Sequence, residues 1–208
     1  YPIRTINIER ERRMSQLETK CLHAGYETAE ATPHANAEPL YRTASYRFDS
    51  TEHAANLFTL KELGNIYTRL MNPTTDVLEQ RVAAMEGGAA GLALASGTSA
   101  IFYSIINLAK AGDEIVSANN LYGGTYTQFN DILPGMGINV NFVDPTDPQN
   151  YEAAITDKTK ALFCESIGNP LLDVVDIQAI ADIPHAHGIP LILDSTFPTP
   201  APCRPLEP

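Results

Sequence analysis

From Leu92 to Leu193 short apolar runs alternate with stretches of helical periodicity, and this alternation limits the fold more than any other feature. The runs expected to be strands are Leu92–Ala95, Glu114–Ala118, Asn139–Val143, Ala161–Cys164 and Leu191–Leu193. Between them the pattern predicts helices over Ser99–Ala109, Tyr122–Leu133 and Tyr151–Ile155. A further helix is expected from Asp176, as its N-cap, to His187. Strands joined in this way imply right-handed βαβ units, a mostly parallel sheet and helices on both faces. The fold class is therefore α/β. Pro184 falls inside the last helix and should kink it or end it early.

The N-terminal part reads differently. Residues 15 to 50 look irregular. Helices are expected over Glu52–Glu62 and over Thr74–Glu86, the second placing Val77, Leu78, Val82 and Met85 on one face before Gly87-Gly88 ends it. Residues 1 to 13 are polar and charged, and Met14 is the expected natural start, with a leader or artefactual residues before it. A formal net charge of −11 over 208 residues argues against nonspecific binding to nucleic acid or an anionic membrane. No apolar run is long enough to span a bilayer. Cys21, Cys164 and Cys203 are odd in number and widely spaced, which suggests reduced thiols and a cytoplasmic location rather than a disulfide framework.

Open α/β sheets bind ligands along the carboxyl edge of the strands, and chemically capable residues gather at those strand ends. Leu191–Leu193 delivers Asp194, a carboxylate near which the only cation in sequence is Arg204. It reads either as a ligand's counter-ion or as a structural acid. Ser96-Gly97-Thr98 joins a strand to a helix start, where free N–H groups and hydroxyls suit a phosphate. The alternative is a tight turn with a capping hydroxyl. Tyr122-Gly123-Gly124-Thr125 sets a ring beside two glycines, for a flat ligand or as a core tyrosine in a loop. Glu165 to Asn169 brings an acid and an amide, either to a ligand or as turn chemistry. Tyr67 and Arg69 could clamp an anion or form a surface pair. A phosphate cradle, a stacking ring and a carboxylate together describe a site for a flat, phosphorylated, cationic heterocycle. Pyridoxal 5'-phosphate (PLP) meets all three requirements.

These residues resemble a known family. Gly64 to Thr74, Ser96-Gly97-Thr98, Tyr122-Gly123-Gly124-Thr125, Glu165 to Pro170 and Asp194 to Phe197 are similar, in order and spacing, to the cysteine/methionine-metabolism branch of fold-type I PLP enzymes. Within it the chain looks most like O-acetylhomoserine sulfhydrylases. Ile66 to Pro73 carries that likeness, as does Gly124, where the similar methionine γ-lyases place cysteine.

The resemblance implies a PLP-transferase-like large domain cut short, over 74 to 208, after an N-terminal segment, 14 to 73, that serves a neighbouring subunit. It implies that Tyr67 and Arg69 clamp the phosphate of the neighbour's cofactor, and that Gly97 and Thr98 bind phosphate. It gives Tyr122 stacking and proton transfer, Asp194 the pyridine nitrogen and Asn169 the ring oxygen, with Glu165 and Thr196 in support. Tyr122 and Asp194 would be the catalytic pair.

The implied reaction is γ-replacement on O-acetyl-L-homoserine by sulfide or a thiol, giving homocysteine or methionine plus acetate, in a homotetramer. The family's cofactor-bearing lysine lies in a Ser-x-Thr-Lys motif after the aspartate, and no such motif follows Asp194 here. None of Lys20, Lys61, Lys110, Lys158 and Lys160 has that context, so the chain is expected to be the N-terminal half of such an enzyme and inactive alone. Ser195 stands where asparagine is usual. The alternatives are a methionine γ-lyase, a cystathionine-forming or cystathionine-cleaving enzyme, or a non-catalytic fragment acting by association.

Overall fold

The computed structural model describes residues 16–26 and 35–206, so the expectation about residues 1 to 13 lies outside the described residues. The chain divides into two units, one holding the described residues up to Ala93 with Leu206, the other Leu94–Pro205.

In the first unit three helices form: α1 Leu17–His23, α2 Thr51–Phe58 and α3 Pro73–Glu86. Helix α1 falls in the stretch expected to be irregular. It has no side-chain cap, is seven residues long and buries none of them, so its signal in sequence is weak. Its contact with α3 explains a second difference. Val77, Arg81 and Met85, spaced one turn apart, face the α1 segment. Arg81 Nε donates to the Ala24 carbonyl at 3.1 Å, and the Cys21 thiol meets Met85 Sδ at 3.2 Å. Gly25 turns there with φ +79°, and a Cβ on it would lie 2.9 Å from the Val77 oxygen. Leu78 and Val82, expected on the packed face, are exposed instead.

Helix α2 stops at Phe58 rather than Glu62. Leu60 has φ 57°, and the N–H groups of Lys61 and Glu62 both turn back to the Asn56 carbonyl. Leu92–Ala95 is not a strand. No described strand lies beside it, and the Ala93 N–H is taken by the Glu79 carboxylate at 2.8 Å. A strand without a ladder partner has no backbone bonds to hold it.

The second unit begins with α4, Gly97–Leu108, capped by the Ser96 hydroxyl on Ser99 N–H. Four parallel strands follow: β1 Glu114–Ala118, β2 Asn139–Val143, β3 Thr159–Glu165 and β4 Leu191–Asp194, in the order β2-β1-β3-β4. Among the described residues the sheet thus has four strands, not five. Helix α5 Gly123–Thr127 runs through a π-helical turn, Gln128–Ile132, into α6 Leu133–Gly135. Helices α7 Gln149–Ala154 and α8 Ile177–Ala186 complete the unit.

Side chains alternate between the faces of a strand, and all five residues of β1 are buried, so both faces of the sheet are covered at its centre. The core packs Ile105, Ile115, Phe129, Leu133, Leu162 and Phe163, with Phe129 edge-on to Phe163 at 4.9 Å. Asp176 caps α8 through Ala179 N–H at 3.0 Å. Pro184 sits in the last turn of α8, and the helix ends two residues later at Ala186.

Candidate functional site

The carboxyl ends of β3 and β4 lie side by side, with Glu165 in register with Asp194. Beyond them, at the starts of α4 and α5, opens a cleft of about 410 Å³. Gly97, Thr98, Tyr122, Glu165, Asn169, Asp194 and Thr196 all line it. Seven candidates separated by up to 99 positions in sequence thus share one cavity. Tyr67 and Arg69 belong to the first unit. There the Arg69 guanidinium stands 5.7 Å from the centre of the Tyr67 ring, and both side chains are exposed.

Asp194 is held before any ligand arrives. Thr196 donates to its Oδ1 twice, from N–H at 2.9 Å and from Oγ1 at 2.5 Å, while no described residue bonds Oδ2. The Asp194 carbonyl is pinned to β3 by Ser166 N–H at 2.9 Å and Ser166 Oγ at 3.2 Å. One oxygen of the carboxylate therefore keeps acceptor capacity for a cationic N–H donor.

At the opposite wall α4 begins. The Ser99 N–H is taken by Ser96 Oγ at 3.1 Å, but the N–H groups of Gly97 and Thr98 come before the first intrahelical bond. With the Thr98 hydroxyl they leave free donors at the start of a twelve-residue helix, an arrangement of the kind that suits an anion. A Cβ on Gly97 would have nothing within 4 Å, so the space before that turn is open.

Glu165 is buried at the end of β3 and accepts the Tyr122 N–H at 2.7 Å. Burial pushes its carboxyl above the ordinary carboxylate range. The Tyr122 N–H works against this and the Asp194 charge adds to it. This bond fixes the start of the Tyr122–Gly124 turn, while the Tyr122 ring stays exposed. Asn169 N–H donates to the Asn120 carbonyl at 3.0 Å, and Gly168 packs so tightly that a Cβ on it would meet Asn120 Nδ2 at 2.2 Å. Next to Glu165, burial and then the Glu165 charge push the Cys164 thiol up to about 12, so it carries no thiolate at neutral pH.

Ile101, Thr125, Ser166, Ile167 and Phe197 also line the cleft. Thr125, Ser166 and Ile167 lie inside motifs that already point to the site, and Phe197 follows Thr196. Ile101 has no signal of its own, since one apolar residue in an apolar helix reads as core.

The arrangement joins an open helix start, an acid with one oxygen unbonded among the described residues, an exposed ring and an amide around a partly apolar space. That set suits a flat, phosphorylated, basic heterocycle. An O-acetyl-L-homoserine sulfhydrylase of Leptospira meyeri is 52% identical over 190 residues, covering 91% of this chain and 43% of that protein. A homocysteine synthase of Schizosaccharomyces pombe is 52% identical over 180 residues, covering 86% and 42%. Among solved structures, an O-acetylhomoserine (thiol)-lyase of Campylobacter jejuni carrying a pyridoxyl-lysine monophosphate superposes with TM-score 0.87 at 43% identity, covering 91% of this chain and 47% of that one. A cystathionine γ-lyase of Lactobacillus plantarum superposes with TM-score 0.82 at 36% identity, covering 92% and 47%. The chain spans under half the length of these relatives. The family model of Cys/Met metabolism PLP-dependent enzymes matches residues 18–208, and the chain belongs to that family.

Proposed function

We propose that the whole protein is a PLP-dependent enzyme of γ-replacement on O-acetyl-L-homoserine, joining sulfide or a thiol to the γ-carbon with release of acetate. The observation that carries this reading is the 52% identity to a sulfhydrylase and a homocysteine synthase, and among superposed structures the O-acetylhomoserine (thiol)-lyase, at 43%, stands above the cystathionine γ-lyase, at 36%. The products are homocysteine or methionine, a step of methionine biosynthesis.

The cleft fits the cofactor. It pairs an acid whose Oδ2 has no partner among the described residues with an unsatisfied helix start across an open space. When bound, PLP supplies the electron sink that stabilises carbanions at the substrate's α- and β-carbons. In this reading the N–H groups of Gly97 and Thr98 bind its phosphate. Asp194 Oδ2 receives the pyridine N–H, oriented by the hold of Thr196 on Oδ1. Asn169 donates to the ring oxygen. Tyr122 would stack on the ring, and its hydroxyl would assist proton transfer or the departure of acetate. Glu165 fixes the turn from which Tyr122 projects. Tyr67 and Arg69, following the resemblance, clamp phosphate in a neighbouring subunit of a homotetramer. The location is the cytoplasm, in keeping with three free cysteines.

Incubated with O-acetyl-L-homoserine and sulfide, the whole protein is expected to release homocysteine and acetate in equal amounts. Release of 2-oxobutanoate and methanethiol from methionine, with no homocysteine from the first mixture, would replace this reading with γ-elimination. No product from either mixture would favour a non-catalytic role.

A further inference from the structure

Gln128 lies outside the cleft lining yet touches the turn that would bind phosphate. It is 6% exposed and opens the π-helical turn that interrupts the helical stretch after Tyr122. Such turns occur frequently near functional sites. Its Nε2 donates to the Thr98 carbonyl at 3.4 Å, while its Oε1 is buried with no partner among the described residues. A half-satisfied buried amide costs stability that an apolar side chain of the same volume would not. Fold stability therefore gives no account of a glutamine at this position.

The peptide unit it touches supplies one. The Thr98 carbonyl and the Ser99 N–H belong to the same plane. Ser96 Oγ holds the N–H end at 3.1 Å, and Gln128 holds the carbonyl end. Clamped at both ends, that plane fixes the direction of the Thr98 side chain and of the N–H that precedes it. The geometry points to Gln128 as a positioning residue for the anion-binding turn, acting on the phosphate of the cofactor and not on its ring. This rests on the reading of the cleft as a PLP site.

The test compares equilibrium binding of PLP and of pyridoxal, which lacks the phosphate, to the cofactor-free whole protein. Gln128→Met keeps length and volume but removes the donor. It is expected to weaken PLP binding by about tenfold while leaving pyridoxal binding within about twofold of wild type. Equal weakening of both ligands, or of neither, overturns the proposal. Should Gln128→Met fail to fold, Gln128→Glu is read by the same ratio, since it keeps the shape and places an acceptor against the carbonyl. A wild type that binds PLP no better than pyridoxal overturns the reading of the cleft itself, and this proposal with it.

Discussion

Gly124 has no side chain, and a Cβ built there would lie 2.7 Å from Tyr122 Cε1 and 3.3 Å from Cδ1. The obstacle is the movable end of a side chain, so an alanine is accommodated by swinging the ring away. Gly124→Ala is therefore expected to leave the melting temperature unchanged or to raise it, because alanine favours the helix by up to about 1 kcal/mol. Turnover should fall by about tenfold as Tyr122 loses its placement. Loss of stability together with activity would show that Gly124 serves packing instead.

Glu165 gives a pH-dependent counterpart. Burial raises its carboxyl, so the native state binds that proton more tightly than the unfolded chain. The stability contributed is present below the unfolded carboxylate range and is lost as pH rises through the raised native value. Glu165→Gln cannot titrate and keeps an acceptor for the Tyr122 N–H. Its urea midpoint relative to wild type is expected to improve from about pH 4 to about pH 7. An unchanged difference across that range would contradict the assignment.

At the scale of elements, one asparagine organises the segment that carries Tyr67 and Arg69. Asn72 caps α3 by accepting Thr74 N–H at 2.9 Å, and its Nδ2 donates to the Tyr41 carbonyl at 2.9 Å and to Thr68 Oγ1 at 3.2 Å. Thr74 adds a bond from its hydroxyl to the Pro39 carbonyl at 2.7 Å. Asn72→Ala removes a cap and two cross-links, for an expected loss of about 2 kcal/mol in the unfolding free energy of this unit. Chemical denaturation monitored by circular dichroism measures it.

The elements also show what the residue pattern can reveal. β1 and β2 match their expected limits residue for residue, since each is a short stretch with apolar residues bounded by turn residues. Leu92–Ala95 has the same look but no neighbour, and pairing is a property of two segments. Of the face expected for α3, Val77 and Met85 do turn toward α1 while Leu78 and Val82 do not, because Arg81 takes the place between Val77 and Met85 through its bond to the Ala24 carbonyl, and a charged residue carries no inward signal in sequence. Five of the seven cleft residues are legible because they lie at or just beyond strand ends, whereas Gly97 and Thr98 follow no strand and are marked by the start of α4. Gln128 is not legible, since neither a π-helical turn nor a carbonyl contact 30 positions away leaves a local trace.

Over the whole sheet, the amino ends of the strands have their own polar arrangement. Glu114, buried at the start of β1, accepts from the hydroxyls of Thr156 and Thr159, the latter at 3.0 Å, and its N–H bonds the Lys158 carbonyl at 3.0 Å. Thr156 N–H donates in turn to Thr159 Oγ1 at 2.9 Å. Glu114→Ala strands two hydroxyls and is expected to destabilise the protein by about 1–3 kcal/mol. The denaturant midpoint should fall with the slope unchanged, while the folded fraction binds PLP as wild type does. Weakened binding in the folded fraction would show that the two ends of the sheet are not independent.

That clasp joins β1 to β3 at the edge opposite Glu165 and Asp194. The residues that line the cleft and those that close the sheet therefore occupy opposite rims. A side chain on one rim can thus be changed without touching the hydrogen bonds of the other.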